Sequence, residues 1–359
     1  MRAAIRRGKQ IVCDDIPDLV PGPGQVLVRT CACGICGSDL HAFQFPEAIA
    51  KTYAASGIEN PMRADADVVF GHEFSAEILD FGPGTQRKLK PGAIVTSVPR
   101  LLDKSGAHVV GYSNDFPGGY AERMLLTESL LLEVPNGLPA DIAALTEPFA
   151  VGEHAVAAAA LDGAAGALVV GCGPVGLAVI AALKARGFGP VIAADFAPGR
   201  RVLAEKLGAD VVVDPAQHSP HARWADYGVP QTRAARARAV AEGAKPGRAV
   251  VFECVGVPGV LAGIAAGTPS GSQVVVAGVC METDRFEPSV AISKELDLRF
   301  VLGYSAQEFA ATLRNIAEGR IAAAEIVTGR VGLDGVADAF ATLGKPGDQA
   351  KILIEPARA

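Results

Sequence analysis

The sequence predicts an α/β protein in which a doubly wound parallel sheet accompanies a β-rich domain. Residues up to about Glu147 show short β-type runs split by Gly and Pro turns. From about Phe149 to Leu302 the texture changes to apolar strands alternating with helical stretches, the pattern of a parallel sheet with crossover helices. Where the first of those strands meets its helix, Gly171-Cys172-Gly173-Pro174-Val175-Gly176 forms a glycine fingerprint, and Asp195 follows at about the spacing a dinucleotide fold uses.

Taken in order, residues 26–29, 68–70, 94–98 and 120–126 read as strands of the first region. The segment from Phe43 to Asp67 is long and carries Phe43, Phe45, Tyr53 and Met62; it reads as a surface excursion or as a border to a binding cleft. In the second region, strands are expected at 167–170, 191–194 and 211–213, with helices from Gly176 and over 200–207. Later strands at 249–252, 273–277 and 298–302 bring the sheet to about six, and 308–318 reads as a helix. Residues 214–248 are polar, and His218 and His221, lacking metal-ligand partners, are expected in a solvated loop.

A chain of 359 residues, half of them hydrophobic, can bury two cores and is expected to form two domains. Its net charge of -6 and lack of a basic stripe argue against nucleic-acid binding. The arginines near Met1 precede no apolar run, so no secretory signal is read. The uncharged stretches 163–183 and 254–281 are interrupted by Gly and Pro, which excludes a membrane helix for either. Seven cysteines, an odd count, are expected as reduced thiols in the cytoplasm. Cys31 and Cys33 alternate on one strand face and read as small hydrophobes rather than ligands.

Cys36 stands in Gly34-Ile35-Cys36-Gly37-Ser38-Asp39-Leu40-His41, and Gly71-His72-Glu73 and Glu147-Pro148 add an imidazole and two carboxylates. Thiolate, imidazole and carboxylate together form the ligand mix that zinc prefers. Cys36 and His72 are the leading ligand candidates.

From Met1 to Ala359 the order of these motifs resembles the zinc-dependent medium-chain dehydrogenase/reductase family, within it the sorbitol and threonine dehydrogenase branch. Pro21-Gly22-Pro23-Gly24-Gln25-Val26 and Lys351-Ile352-Leu353-Ile354 agree with it more generically. The resemblance implies a GroES-like catalytic domain over 1–148 and 303–359, a Rossmann domain binding NAD over 149–302, and a substrate cleft between them. It implies a homo-oligomer, dimer or tetramer, acting on a small-molecule alcohol or polyol. The substrate pocket is built from loops and is not legible.

Zinc is redox-inert, so its expected use is as a Lewis acid that lowers the pKa of an alcohol while nicotinamide takes the hydride. By resemblance, Glu73 and Glu147 compete to be the carboxylate that binds zinc or holds its water, and which does so at rest is open. Asp39 fits a supporting role, accepting a hydrogen bond from a ligand imidazole. Ser38 and His41 resemble the family's proton relay, which runs from a hydroxyl through the cofactor ribose to an imidazole. Four closely spaced cysteines hold a structural zinc in many relatives; none occurs between Pro99 and Pro117, so one zinc per chain is expected.

At the cofactor, Gly171 permits a tight turn, Gly173 admits the pyrophosphate to the backbone, and Gly176 allows close helix packing. By resemblance Val175 packs on the nicotinamide and Arg200 lies beside the adenosine. Asp195 can accept from the ribose hydroxyls and repel a 2′-phosphate, which favours NAD over NADP; Arg201 reads as a helix-surface cation. The alternatives are a zinc-free medium-chain reductase, or a non-catalytic nucleotide-binding protein of the same fold.

Overall fold

The computed structural model describes residues 1–345 and 347–358. The chain forms two compact units, Met1–Glu147 with Phe309–Gly319 and Val327–Ala359, and Pro148–Glu308 with Arg320–Ile326.

The strands and helices of the first unit begin with β1 (Arg2–Arg7), β2 (Gln10–Asp15), β3 (Gln25–Gly34), α1 (Gly37–Gln44) and α2 (Pro46–Ala55). They continue with β4 (Glu73–Phe81), β5 (Ile94–Ser97), β6 (Arg100–Asp103), β7 (Gly106–Val109), β8 (Arg123–Thr127), β9 (Leu131–Glu133) and α3 (Ala140–Ala143). α4 (Thr146–Ala157) carries the chain into the second unit. There follow β10 (Ala164–Val170), α5 (Pro174–Ala185), β11 (Val191–Ala194), α6 (Pro198–Lys206), β12 (Val211–Val213), α7 (Arg233–Ala241) and β13 (Arg248–Glu253). Then come α8 (Val260–Gly267), β14 (Gln273–Val276), α9 (Pro288–Lys294), β15 (Asp297–Phe300) and α10 (Ala306–Ala317). β16 (Val327–Val331), α11 (Val336–Leu343) and β17 (Lys351–Ile354) complete the first unit.

In the first unit, seven strands run in the order β16-β17-β3-β4-β5-β9, with β8 also on β3. All of these pairs are antiparallel except β16 with β17. β3 is the long central strand, and Val26, Val28, Ala32 and Cys33 are buried in the core with Phe74, Ala76 and Ile78 of β4. Its far end sets up the site, because Gly34 pairs with Glu73 on one side and Leu353 on the other. Residues 68–70 make one isolated bridge, Val68 with Arg6, rather than a strand. The carbonyls of Val69 and Phe70 instead accept from Gly118 and Tyr120, an irregular turn that no alternation marks. The segment after Phe43 contains the helix α2, started by Pro46 at its first turn. It is more than a surface excursion, since Ile49 and Met62 are buried.

In the second unit the sheet order is β12-β11-β10-β13-β14-β15, parallel throughout. This is the doubly wound order, which reverses between β10 and β13. Leu168, Ile192, Val213, Val251 and Val274 fill the core together with Trp224. Trp224 comes from a 3₁₀ helix over Pro220–Tyr227, so the polar stretch read as a solvated loop folds back onto the sheet. His218 is exposed, but the His221 ring packs where a side chain on Gly267 would collide with it. Burial, aided by Lys294, pushes the His221 pKa down to about 4.

Residues 303–308 and 320–326 pack with the second unit, whereas the sequence reading drew its boundary before them. The crossing falls inside α10, where a continuous helix leaves no linker to mark it. Among the described residues no helix is long and apolar enough to cross a membrane.

Candidate active site

Cys36 precedes the first turn of α1, and its backbone N–H donates to Asp39 Oδ2 at 3.0 Å. The Cys36 sulfur, a His72 ring nitrogen and a Glu73 carboxylate oxygen lie within 4.8 Å of one another. His72 and Glu73 are buried. Soft sulfur, borderline nitrogen and hard oxygen at this separation form a donor set that suits zinc. Glu147 is buried too, but lies outside that trio.

Asp39 is fully buried and supports the cluster from behind. Its Oδ1 lies 3.3 Å from His72 Nδ1, within ion-pair distance of the ring. Oδ2 also accepts from the Tyr120 hydroxyl at 2.7 Å, and Oδ1 from Tyr112 at 3.0 Å. Burial works against ionisation of Asp39, but His72, the Tyr120 hydroxyl and the Cys36 N–H prevail and hold its pKa below the ordinary carboxylate value. Burial likewise opposes charge on His72, yet Asp39 and Cys36 outweigh it and raise the imidazole well above its ordinary pKa.

Glu73 has a partner that the sequence reading missed. Lys351, fully buried, donates to both carboxylate oxygens at 2.7 and 2.6 Å and to the Ile35 carbonyl at 2.9 Å. Gly34 leaves room for this pair, since any side chain there would strike Glu73. Burial disfavours the Lys351 charge, but Glu73, Cys36 and Glu147 raise its pKa overall. The one available signal was a lysine opening an otherwise apolar final strand.

Ser38 and His41 stand one turn apart on α1, hence on one face. The Ser38 hydroxyl donates to Cys36 Sγ at 3.1 Å and, at 2.8 Å, shares the single Tyr112 proton with Asp39 Oδ1. Burial lowers the His41 pKa, and its Nδ1 has no hydrogen-bond partner among the described residues. α2 brings Tyr53 edge-on to Tyr112, with ring centroids 5.7 Å apart. Neither tyrosine was singled out as a site residue from the sequence.

The second unit builds the glycine turn between β10 and α5. Gly171 has φ +91°, and a Cβ there would come within 2.6 Å of Val255. A side chain on Gly176 would collide with the Gly171 carbonyl oxygen. Gly173 faces open space: a Cβ there meets nothing nearer than Arg200 Nη1 at 3.9 Å. The turn therefore offers a vacant approach at the start of α5, as a pyrophosphate requires. Val175 is partly exposed in the first turn of α5. Asp195 is tied to the turn, its Oδ2 accepting from Cys172 N at 2.7 Å and its Oδ1 from Ala197 N at 2.8 Å. Arg201 is not a free surface cation; Nη1 donates to the carbonyls of Asp195 and Phe196 at 2.8 and 2.9 Å.

Comparisons with known proteins agree with both halves. Residues 174–318 match the zinc-binding dehydrogenase family, and residues 22–136 match the alcohol dehydrogenase GroES-like domain. The chain is 32% identical over 356 residues to (R,R)-butanediol dehydrogenase of Bacillus subtilis, covering 97% of each chain. It is 28% identical over 367 residues to sorbitol dehydrogenase of Gallus gallus, covering 99% of this chain and 96% of that one. The crystal structure of 2R,3R-butanediol dehydrogenase from Bacillus subtilis superposes with a TM-score of 0.81 at 31% identity, covering 99% of each.

Proposed function

The chain belongs to the zinc-type medium-chain dehydrogenase/reductase family, an alcohol or polyol oxidoreductase of GroES-like and Rossmann folds, and from that premise we propose how its own residues divide the work. Cys36 and His72 hold one zinc ion, with a carboxylate from Glu73 or Glu147. Zinc, when bound, acidifies the substrate alcohol, and NAD accepts the hydride. The observation that carries this reading is the convergence of Cys36, His72 and Glu73 donor atoms in a chain that also carries a glycine turn tied to Asp195.

Asp39 keeps the His72 ring in place, so the imidazole costs little to order when the cation binds. Glu73 must share an oxygen with Lys351 to act as a ligand, which makes Lys351 a control on its part in the site. The Ser38 oxygen accepts the alcohol's proton. His41 takes that proton up last and releases it to solvent, because its lowered pKa keeps the ring unprotonated at rest and disfavours retention of the proton at neutral pH.

Gly171, Gly173 and Gly176 with the start of α5 receive the pyrophosphate, Val175 borders the nicotinamide, and Arg200 borders the adenosine. The Asp195 carboxylate selects NAD by repelling a 2′-phosphate. The seven cysteines are free thiols, in keeping with the reducing cytoplasm. The enzyme works as a homo-oligomer, a reading supported by the open edge of β15 described in the Discussion.

The test is metal analysis joined to a nicotinamide reduction assay on a panel of alcohols and vicinal diols. One zinc per chain is expected, with NAD preferred to NADP. Cys36→Ser is expected to lose metal and activity together, since a hydroxyl replaces thiolate poorly. A Cys36→Ser protein that keeps both would refute this ligand set.

A further inference from the structure

We propose that Tyr112 is a positioning residue for proton removal, its phenol holding the Ser38 hydroxyl in the orientation that takes the proton of the alcohol. The inference rests on the reading of Ser38 as first proton acceptor. Tyr112 follows β7, its backbone N–H bonded to the Val109 carbonyl, and its side chain is buried. The ring is held by three others, with centroids 5.2 Å from His72, 5.7 Å from Tyr53 and 6.0 Å from Phe70. A ring packed in this way has one available place for its hydroxyl. Ser38, half-buried in the first turn of α1, has the freer side chain, so Ser38 adapts to Tyr112 and not the reverse.

The count of lone pairs then becomes specific. A serine hydroxyl has one proton and two acceptor positions. Here the proton lies toward Cys36 Sγ and Tyr112 occupies one acceptor position, which leaves a single one for an alcohol O–H. When the alcohol O–H bond breaks, a new O–H bond forms at that position, and the original Ser38 proton, turned away from Cys36 Sγ, is the one released along the relay that ends at His41. Tyr112 keeps its own proton throughout, donating to the oxygen while charge passes over it. Burial, followed by the nearby Asp39 charge, keeps Tyr112 a phenol.

The single Tyr112 proton lies between two acceptors, Ser38 Oγ at 2.8 Å and Asp39 Oδ1 at 3.0 Å, and the two do not depend on it equally. Without the Tyr112 hydroxyl, Asp39 retains the Cys36 N–H, the Tyr120 hydroxyl and His72. Ser38 retains no donor among the described residues. Losing the hydroxyl therefore falls on Ser38, while the support of the metal ligand persists.

A cycle of Tyr112→Phe, Ser38→Ala and the double variant tests this. Tyr112→Phe preserves the ring contacts and is expected to lower kcat about tenfold, the scale of one hydrogen bond lost in a closed site, with alcohol KM within about twofold. Zinc per chain should stay unchanged. In the Ser38→Ala background the same substitution should cost less than about twofold. The denaturant midpoints of the metal-free proteins should show the same non-additivity, a readout independent of turnover. The inference is overturned if Tyr112→Phe matches wild type, if its loss is as large without Ser38, or if zinc is lost, which would place its action on His72 through Asp39. A Ser38→Ala enzyme with wild-type turnover would instead overturn the reading of Ser38 itself.

Discussion

Single residues carry the chemistry, and they were legible in proportion to how local their partners are. Cys36, Ser38, Asp39 and His41 announce themselves because one turn and one short helix place them together. Lys351 does not, because its partner Glu73 is 278 residues away; Tyr112 lies 74 residues from Ser38. Nothing in composition or period connects positions so far apart. The Lys351–Glu73 pair is fully dry, so removing one partner leaves a buried charge, at a cost of about 3–5 kcal/mol. Lys351→Met is therefore predicted to lower the melting temperature of the metal-free protein sharply. It should also make zinc more stabilising than in wild type, because the freed Glu73 carboxylate then has only the cation to neutralise it. Melting curves with and without zinc check both parts, and a variant that melts like wild type in each condition would show the pair to be inert.

At the scale of elements, periodicity served the second unit better than the first. Strands at 167–170, 191–194 and 211–213 are continuous apolar runs, as parallel strands covered on both faces must be, and they match β10, β11 and β12 closely. Residues 68–70 looked equally apolar, yet their backbone bonds go to a glycine turn, which a side-chain pattern does not encode. The 3₁₀ helix over Pro220–Tyr227 was hidden by its charge: Trp224 is buried and His221 half-buried in a stretch that is otherwise polar. That half-buried histidine gives a pH prediction. Its pKa is about 4 when folded, against 6.5 as the ordinary value, so the unfolded chain binds the extra proton between those limits. The stabilisation is fully present above pH 6.5 and is lost as pH falls toward 4, about 3 kcal/mol in all. His221→Asn should lose less stability than wild type when urea midpoints are compared at pH 7 and pH 4.5. Parallel losses in the two proteins would mean that His221 is not the group responsible.

For the whole molecule, fold class was the most legible feature, because alternating strand and helix leave few ways to close a sheet and the glycine turn marks where it begins. What a sequence read as one chain does not expose is which surface is unfinished. The second sheet ends at β15, which pairs with β14 on one side and with no strand on the other among the described residues. Beside that free edge, Phe300 is 67% exposed, Leu302 83%, and Ile292 of the preceding helix 72%. An open strand edge flanked by apolar side chains invites pairing, and natural proteins cover such edges. We propose a second copy of this chain as the occupant, since a two-fold axis beside β15 would set the same strand antiparallel to itself and bury both apolar sets at once. We therefore predict that the wild type sediments as a multiple of the single-chain mass and that Phe300→Asp with Leu302→Asp shifts it to monomer, because paired carboxylates across the axis repel. Analytical ultracentrifugation over a concentration series reads the result directly. A monomeric wild type would refute the oligomer, and an oligomer unmoved by both substitutions would place the interface elsewhere.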